Sequence, residues 1–431
     1  MGAVIGRGQC KTPRGKLVAV SVRLDGIGGE DIRIVEAHVD GDFLIDVRGS
    51  SDDPAAIAGA GTDGDANTGV AADDMTLIAD LERTIERQSP PIDPDRFRAD
   101  LITVLTDHPH AGLVGVSPDA IITATGRAIR DAGGDDATGT GVVTANQADS
   151  AVPDAPSLDG QGLFAERWHD LHPQIILDAE PYAPALQMAL DQTIAEAVAA
   201  GSMPPTLRFW RWAGPAVVIG AYQSVRNEVD AQAAAVAGFD VVRRVTGGGA
   251  MFVRPDDTIT YSLYVPASFV AGIPAEESYR LCDAWAFSAL RSLGVPAVPQ
   301  PLNDIAMPDG GKIGGAAQRR FPARRGSSGP GCVLHHVTMA YDIDAEQMVR
   351  MLRVSREKLS DKGVRSAKRR VEPIRMNTTL SRERFVEALR RHALADIAGA
   401  RSAELSVDTI DRARALAAER FSNPAWTYRI D

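Results

Sequence analysis

The sequence predicts two folded units of α+β class: a small first unit, and a larger second one built on a mixed or antiparallel sheet with flanking helices. A chain of 431 residues exceeds what one ordinary hydrophobic core holds together, at roughly 100 to 200 residues per domain. Between Gly133 and Gly162 apolar periodicity stops and Gly, Asp, Thr, Ala and Pro take over, a composition that buries too little surface to offset ordering. On both sides, period-two and helical spacing occur together, the pattern of α+β units. The units are placed at 1–135 and 161–431, with 136–160 as a flexible linker.

Residues 16–24 and 32–39 are rich in apolar and β-branched side chains around Asp25-Gly26-Ile27-Gly28-Gly29, which reads as a hairpin or meander. Residues 49–72, rich in Ser, Asp, Gly and Ala, read as an insertion. Helical spacing follows at about 73–88, 93–106 and 118–131, the last opened by Ser117-Pro118-Asp119. In the second unit Leu186, Leu190, Ile194 and Val198 recur every fourth residue and predict a helix over 184–200. Strands are predicted at 206–211, 216–221, 239–244, 249–253 and 258–265, and helices near 276–293, 345–359 and 381–395.

A formal charge of -11 repels polyphosphate backbones, and the run Lys368, Arg369, Arg370 is too short to overcome that field, so no nucleic-acid partner is expected. Cys10, Cys282 and Cys332 have neither disulfide-framework nor zinc-ligand spacing, which points to a reducing compartment and no protein metal site. The N-terminus lacks a secretion signal and a myristoylation signal, and no apolar run approaches the roughly 18 residues of a membrane span. A cytoplasmic location without a membrane partner is expected.

Three segments carry chemistry. In Arg243-Arg244-Val245-Thr246-Gly247-Gly248-Gly249-Ala250-Met251-Phe252, glycines permit backbone amides to approach an anion and the arginines add charge suited to phosphate or carboxylate. Such strings are more often a plain turn with solvated arginines. Asn303-Asp304-Ile305 followed by Lys312-Ile313-Gly314-Gly315-Ala316-Ala317-Gln318 places a lysine where a ligand can lie close to backbone, although a lone lysine is usually a surface residue. Val333-Leu334-His335-His336-Val337-Thr338-Met339 reads as a strand whose two histidines face opposite ways, and each is more often structural than catalytic.

Together, in identity, order and spacing, these segments resemble the lipoate–protein ligase A family within the biotin and lipoate ligase superfamily. That family carries Arg-Arg-x-Ser/Thr-Gly-Gly-Gly-Ala, then Asn-Asp and Lys-Ile-x-Gly-x-Ala, then a Leu-His-His strand. The resemblance extends to Phe209-Trp210-Arg211-Trp212, to Val218-Ile219-Gly220-Ala221-Tyr222-Gln223 and to Lys362-Gly363-Val364-Arg365-Ser366, covering the second unit. Gly15-Lys16-Leu17-Val18 and Gly41-Asp42-Phe43 are similar to the family's accessory domain, here placed first. Where the family continues His-Asp-x-Gly-Asn after the glycine loop, this chain reads Val253-Arg254-Pro255-Asp256-Asp257.

The resemblance implies an ATP-dependent lipoate–protein ligase that forms lipoyl-adenylate and passes the lipoyl group to a lysine of an acceptor. Implied acceptors are lipoyl domains of 2-oxoacid dehydrogenase complexes or the glycine-cleavage carrier protein. Lys312 is implied as the catalytic residue. Arg244, Gly247, Gly248, Gly249, Ala250, Met251, Phe252, Asn303, Asp304 and Lys312 are implied to bind ATP or the adenylate, with Mg²⁺ accompanying ATP. Two alternatives stand beside it: an octanoyltransferase of the same superfamily, and a non-catalytic binding regulator. Those transferases use a cysteine shortly before the motif lysine or in a later Pro-Cys-Gly turn, and this chain has neither.

Overall fold

The structure, a computed structural model, describes residues 4–13, 15–26, 32–47, 69–133, 160–323, 329–353 and 372–430. These divide into two compact units, the described residues before 134 in one and those from 160 onward in the other.

In the first unit, β1 (Val4–Lys11), β2 (Leu17–Asp25) and β3 (Arg33–Gly41) form an antiparallel meander. β4 (Leu44–Val47), α1 (Gly69–Glu86), α2 (Pro94–Asp107), β5 (Ala111–Val114) and α3 (Pro118–Asp131) follow, with β4 and β5 paired antiparallel. The β2–β3 pairing is the one the apolar runs predict. β1 escapes that reading because Gly6 and Gly8 interrupt its alternation. A Cβ at Gly6 would sit 2.1 Å from the Ala128 carbonyl and one at Gly8 1.9 Å from that of Ala124, so α3 packs directly on this backbone. The helix starts are chemically set: Asp93 accepts from the amides of Asp95 and Arg96, and Ser117 from that of Ala120, each with proline at the first helical position. Glu82 and Glu86 on α1 accept the Val39 and Ala37 amides at 2.9 and 3.1 Å, which covers an edge of β3.

The second unit runs α4 (Gly160–Leu171), β6 (Gln174–Leu177), α5 (Pro184–Ala199), β7 (Thr206–Phe209), β8 (Ala216–Ile219), α6 (Val225–Glu228), α7 (Ala231–Val236), β9 (Asp240–Arg243), β10 (Met251–Val253) and β11 (Thr258–Val265). It continues with α8 (Ala275–Ser292), β12 (Val298–Gln300), β13 (Asp304–Ala306), β14 (Lys312–Phe321), β15 (Cys332–Ala340), α9 (Ala345–Met351), α10 (Arg382–Asp396), β16 (Arg401–Ala403), α11 (Val407–Leu416) and α12 (Pro424–Thr427). Eight strands form one sheet in the order β12-β13-β14-β15-β11-β7-β6-β16, antiparallel except where β6 pairs with β7 and β16. A smaller sheet has the order β10-β8-β9. This is the predicted α+β unit with a mixed sheet and flanking helices.

The helix α5 is buried almost all round. Met188, Leu190, Ile194 and Val198 pack with Trp210, Trp212, Val218, Tyr264 and Leu334 in one core cluster, which brings the small sheet and the large one to a common interior. Its buried polar residues therefore need internal partners. Gln187 binds Asp178, and Arg208 meets Asp178 through two bonds of 2.7 and 2.8 Å, an ion pair fully shielded from water.

Asn303-Asp304-Ile305 and Lys312 to Gln318, for which no strand is predicted, fall on the β13–β14 hairpin. Its strand character was hidden by Gly314 and Gly315. A Cβ on Gly314 would lie 2.9 Å from Met339 Cγ, so the neighbouring strand's side chain occupies that space. α9 closes at Met351, short of the predicted 359, and residues 354–371 are outside the described residues. So are most of the expected insertion, the linker over 136–159, Lys362-Gly363-Val364-Arg365-Ser366 and Lys368 to Arg370. No described helix is long and apolar enough to cross a membrane.

Candidate active site

The glycine loop joins β9 to β10, and the two arginines before it turn inward. Arg243 is fully buried and donates to the carbonyls of Gly220, Ala221 and Gln223 and to those of Trp426 and Thr427, tying the β8 end to α12. Arg244 donates through Nε to Thr246 Oγ1 (2.9 Å), through Nη1 to the Val218 carbonyl (3.2 Å), and through Nη2 to the carbonyls of Gly247 (2.6 Å) and Gly249 (2.9 Å). Burial pushes its guanidinium down to about 10. Arg244 thus grips the loop from inside. With the Gly247 and Gly249 carbonyls held by it, no protein group among the described residues takes the amides of Gly247, Gly248 or Gly249. Gly248 has φ +93, open to glycine at little cost, and a Cβ at Gly220 would lie 2.0 Å from its carbonyl oxygen. Ala250 and Met251 are half-buried, while Phe252 is buried and stacks on Phe239 with ring centroids 4.8 Å apart.

Lys312 stands on the same side of the large sheet as this loop. Residues directly opposite across strands share a side. Thr338 of β15 faces Gly315 of β14, which also faces Asp304 of β13, while His336 faces Ala317 and Ser262. A Cβ on Gly315 would come 3.1 Å from Lys312 Nζ, so the ammonium lies over that glycine, held 2.8 Å from Asp304 Oδ1. Thr246 reaches His336 at 2.8 Å, and Arg319 donates to the Val245 carbonyl at 3.0 Å, which seats the loop two residues further along the strand. That step is about 7 Å. Glycine and alanine at 315 and 317 leave the strand between them without bulk. Asn303 Nδ2 donates to the Ala316 carbonyl, which ties this residue to β14.

The two histidines of β15 do face opposite ways. His335 contacts Asp283 on α8 at 2.6 Å, and His336 contacts Asp191 on α5 at 2.7 Å. The sequence reading singled out the histidines but missed Thr246 and Asp191. An aspartate inside the apolar stripe of α5 was the available signal, because a buried carboxylate needs partners. Ser262 and Tyr264 also bind Asp191.

The cysteines are poor nucleophiles. Cys282 and Cys332 are fully buried, and burial pushes both thiols well up, away from the reactive thiolate. Cys10 belongs to the first unit. No group of three or more His, Cys, Asp or Glu able to hold a metal ion occurs among the described residues.

Residues 183–394 match the lipoyl protein ligase A/B catalytic domain. An octanoyltransferase LipM from Kyrpidia tusciae is 31% identical over 272 residues, spanning 57% of this chain and 94% of that protein. The chain belongs to the lipoyl protein ligase A/B family. A second LipM octanoyltransferase, from Exiguobacterium, is 35% identical over 203 residues, 42% of this chain and 67% of its own length. Among solved structures, the bipartite lipoate protein ligase of Thermoplasma acidophilum, studied with its E2 lipoyl domain, is 26% identical with a TM-score of 0.51, covering 60% of this chain and 97% of that one.

The family membership implied by the motifs therefore stands, and the chain is an enzyme of lipoyl-type protein modification. The ATP-dependent lipoate ligase reaction does not stand: these relatives in sequence are octanoyltransferases. The glycine loop and the motif lysine do not separate the two, and the cysteine positions that would mark a transferase are unmatched in this chain. Backbone amides that no described protein group takes, together with an ammonium, can stabilise negative charge on the oxygen of an acyl thioester as well as on that of an acyl-adenylate. The expectations of ATP and Mg²⁺ rested on the ligase reading.

Proposed function

We propose that the second unit transfers an octanoyl group from a carrier-protein thioester to the ε-amine of a lysine on a lipoyl domain. Relationship to an octanoyltransferase over 94% of that protein's length carries this reading. The site's geometry supports it: the Gly247–Gly249 amides and the Lys312 ammonium lie on one side of the sheet, beside strand residues too small to obstruct a chain. The acceptor amine attacks the acyl carbon, the carbon–sulfur bond breaks, and the thiol leaves with the proton the amine gives up. Negative charge on the acyl oxygen is stabilised by Lys312 and the loop amides, a contribution of roughly 10² to 10³ in rate per donor. Asp304 orients Lys312. With Cys282 and Cys332 buried and protonated, the amine attacks the donor directly and not through a cysteine thioester.

Lipoyl domains of 2-oxoacid dehydrogenase complexes, or the glycine-cleavage carrier protein, are the acceptors in this reading. We read 1–135 as the accessory domain, 136–160 as linker and 161–431 as the catalytic domain. The test is incubation of the full chain with octanoyl carrier protein and a lipoyl domain, without ATP, followed by intact mass measurement. An octanoyl adduct on the domain's lysine is expected, and its absence at high enzyme concentration would sink the proposal.

A further inference from the structure

Behind the glycine loop, four buried groups form a hydrogen-bonded chain of one direction. The Arg244 guanidinium donates to Thr246 Oγ1 at 2.9 Å, and Thr246 Oγ1 lies 2.8 Å from His336 Nε2. His336 Nδ1 in turn lies 2.7 Å from Asp191 Oδ2. Thr246, His336 and Asp191 are 1%, 3% and 2% exposed, so water does not compete for these bonds. Asp191 accepts from Ser262 and Tyr264 and can act only as an acceptor while ionised. His336 therefore carries its proton on Nδ1 and presents the Nε2 lone pair. Thr246 must donate to that lone pair, which leaves its oxygen free to accept from Arg244. Each polarity follows from the one before.

We propose that Asp191, His336 and Thr246 are positioning residues for the acyl site, fixing through Arg244 the orientation in which the Gly247–Gly249 amides face the ligand. The inference rests on the acyl-transfer reading of that loop. Arg244 holds both the Gly247 and Gly249 carbonyls inward in this chain of contacts, and its Nε is shared between Thr246 Oγ1 at 2.9 Å and the Gly247 carbonyl at 3.2 Å, so the shorter of its two bonds is the one to Thr246. A second proton on His336 reverses one link. Nε2 would then donate to an oxygen that already accepts from Arg244, two cations would flank it, and the threonine proton would lose its acceptor. The charged or titratable groups around His336 are Asp191 from α5, Arg244 from the loop, His335, adjacent in β15 but on its other face, and Tyr264 of β11 through their shared aspartate. Of these only Asp191 favours the proton, and burial opposes it.

The experiment compares the full chain with Thr246→Val, which keeps shape and removes the hydroxyl, and Thr246→Ser, which restores it. Transfer from octanoyl carrier protein is measured from pH 5 to pH 8. For Thr246→Val, KM for the donor is expected to rise about tenfold at neutral pH with a smaller change in kcat, the scale of one buried hydrogen bond. In the parent, KM should rise as pH falls through the histidine range. That acid limb should be absent in Thr246→Val and recovered in Thr246→Ser. Parental KM with an unchanged acid limb in Thr246→Val would overturn the proposal, as would a serine variant that behaves like valine. An octanoyl ester trapped on Thr246 would also overturn it, because the residue would then touch the acyl group. Nitrogen-15 spectra of the histidines provide a readout without turnover: the Nδ1–H tautomer is expected for His336. If no protein transfers octanoate, the functional reading fails while the spectrum still decides the chain, and an Nε2–H tautomer would refute it.

Discussion

Lys312 Nζ sits 2.8 Å from Asp304 Oδ1 across the hairpin of β13 and β14, with the lysine side chain 39% exposed and the aspartate's 13%. A pair this open to water contributes little to folding, on the order of 1 kcal/mol or less. What it does instead is hold an ammonium above Gly315, where a longer neighbour would displace it. Lys312→Ala is therefore expected to lower kcat for octanoyl transfer by roughly 10² to 10³. The thermal midpoint should stay close to the parent's. Asp304→Asn, which keeps an acceptor oxygen, should cost less. Equal kcat in Lys312→Ala and parent, from initial rates at saturating donor, would remove Lys312 from the reaction.

Gly220 is a second point of leverage because it lies outside the glycine motif yet touches it. The Cβ of Gly220→Ala would meet the Gly248 carbonyl at 2.0 Å and Arg244 Nη2 at 3.3 Å. Backbone cannot yield as a flexible side chain does, so a destabilisation of about 1 to 3 kcal/mol is expected. Donor affinity should fall as the loop shifts. Urea unfolding together with KM for the donor checks both, and a variant with parental values in each would show the loop to be looser than its contacts imply.

The cysteines give an opposite expectation. Cys282→Ala and Cys332→Ala remove buried side chains whose thiols are held protonated. Each should cost about 0.5 to 3 kcal/mol of stability, as core truncations do. Transfer rates at a temperature where the variants stay folded should remain within a few-fold of the parent. Rapid acid quench and mass measurement should find no acyl group on either residue in the parent. A thioester there would establish a two-step route.

Much of this was legible in the sequence where local chemistry decides the outcome. Ser117 with Pro118, and Asp93 with Pro94, set helix starts regardless of tertiary context. The four-residue spacing of Leu186, Leu190, Ile194 and Val198 announced α5. β1 and β14 were lost because Gly6, Gly8, Gly314 and Gly315 are dictated by neighbours distant in sequence, and period-two patterning vanishes where a neighbour fills the side chain's place. The loop and Lys312 were found together by resemblance, but the inward turn of Arg244 was not. An arginine before three glycines looks like a ligand arm, and only the structure shows that Thr246, Gly247 and Gly249 take its donors. Asp191 and Thr246 meet through His336 across ninety or more residues of sequence separation, which no local pattern encodes.

Stability at mildly acid pH should report on His336. Burial lowers its proton affinity below the ordinary value of 6.5, and the Asp191 hydrogen bond only partly compensates. The unfolded chain therefore takes up this proton before the folded one does. The histidine's contribution is fully present above about 6.5 and is lost as pH falls from there through the depressed folded value, with a slope of at most about 1.4 kcal/mol per pH unit for one group. Carboxyls held below their ordinary values by hydrogen-bonded partners, such as Glu36, Asp80 and Glu387, are lost in a separate window at lower pH. Asp191→Asn removes the one group favouring the imidazolium, so the folded value drops further and the acid loss should extend to lower pH. Denaturant unfolding at pH 7.5, 6.5, 5.5 and 5.0 follows the slope directly. A parent whose stability is flat from pH 7.5 to 5.5, or an Asp191→Asn variant whose acid loss ends at higher pH than the parent's, would show that His336 is not held neutral by its surroundings.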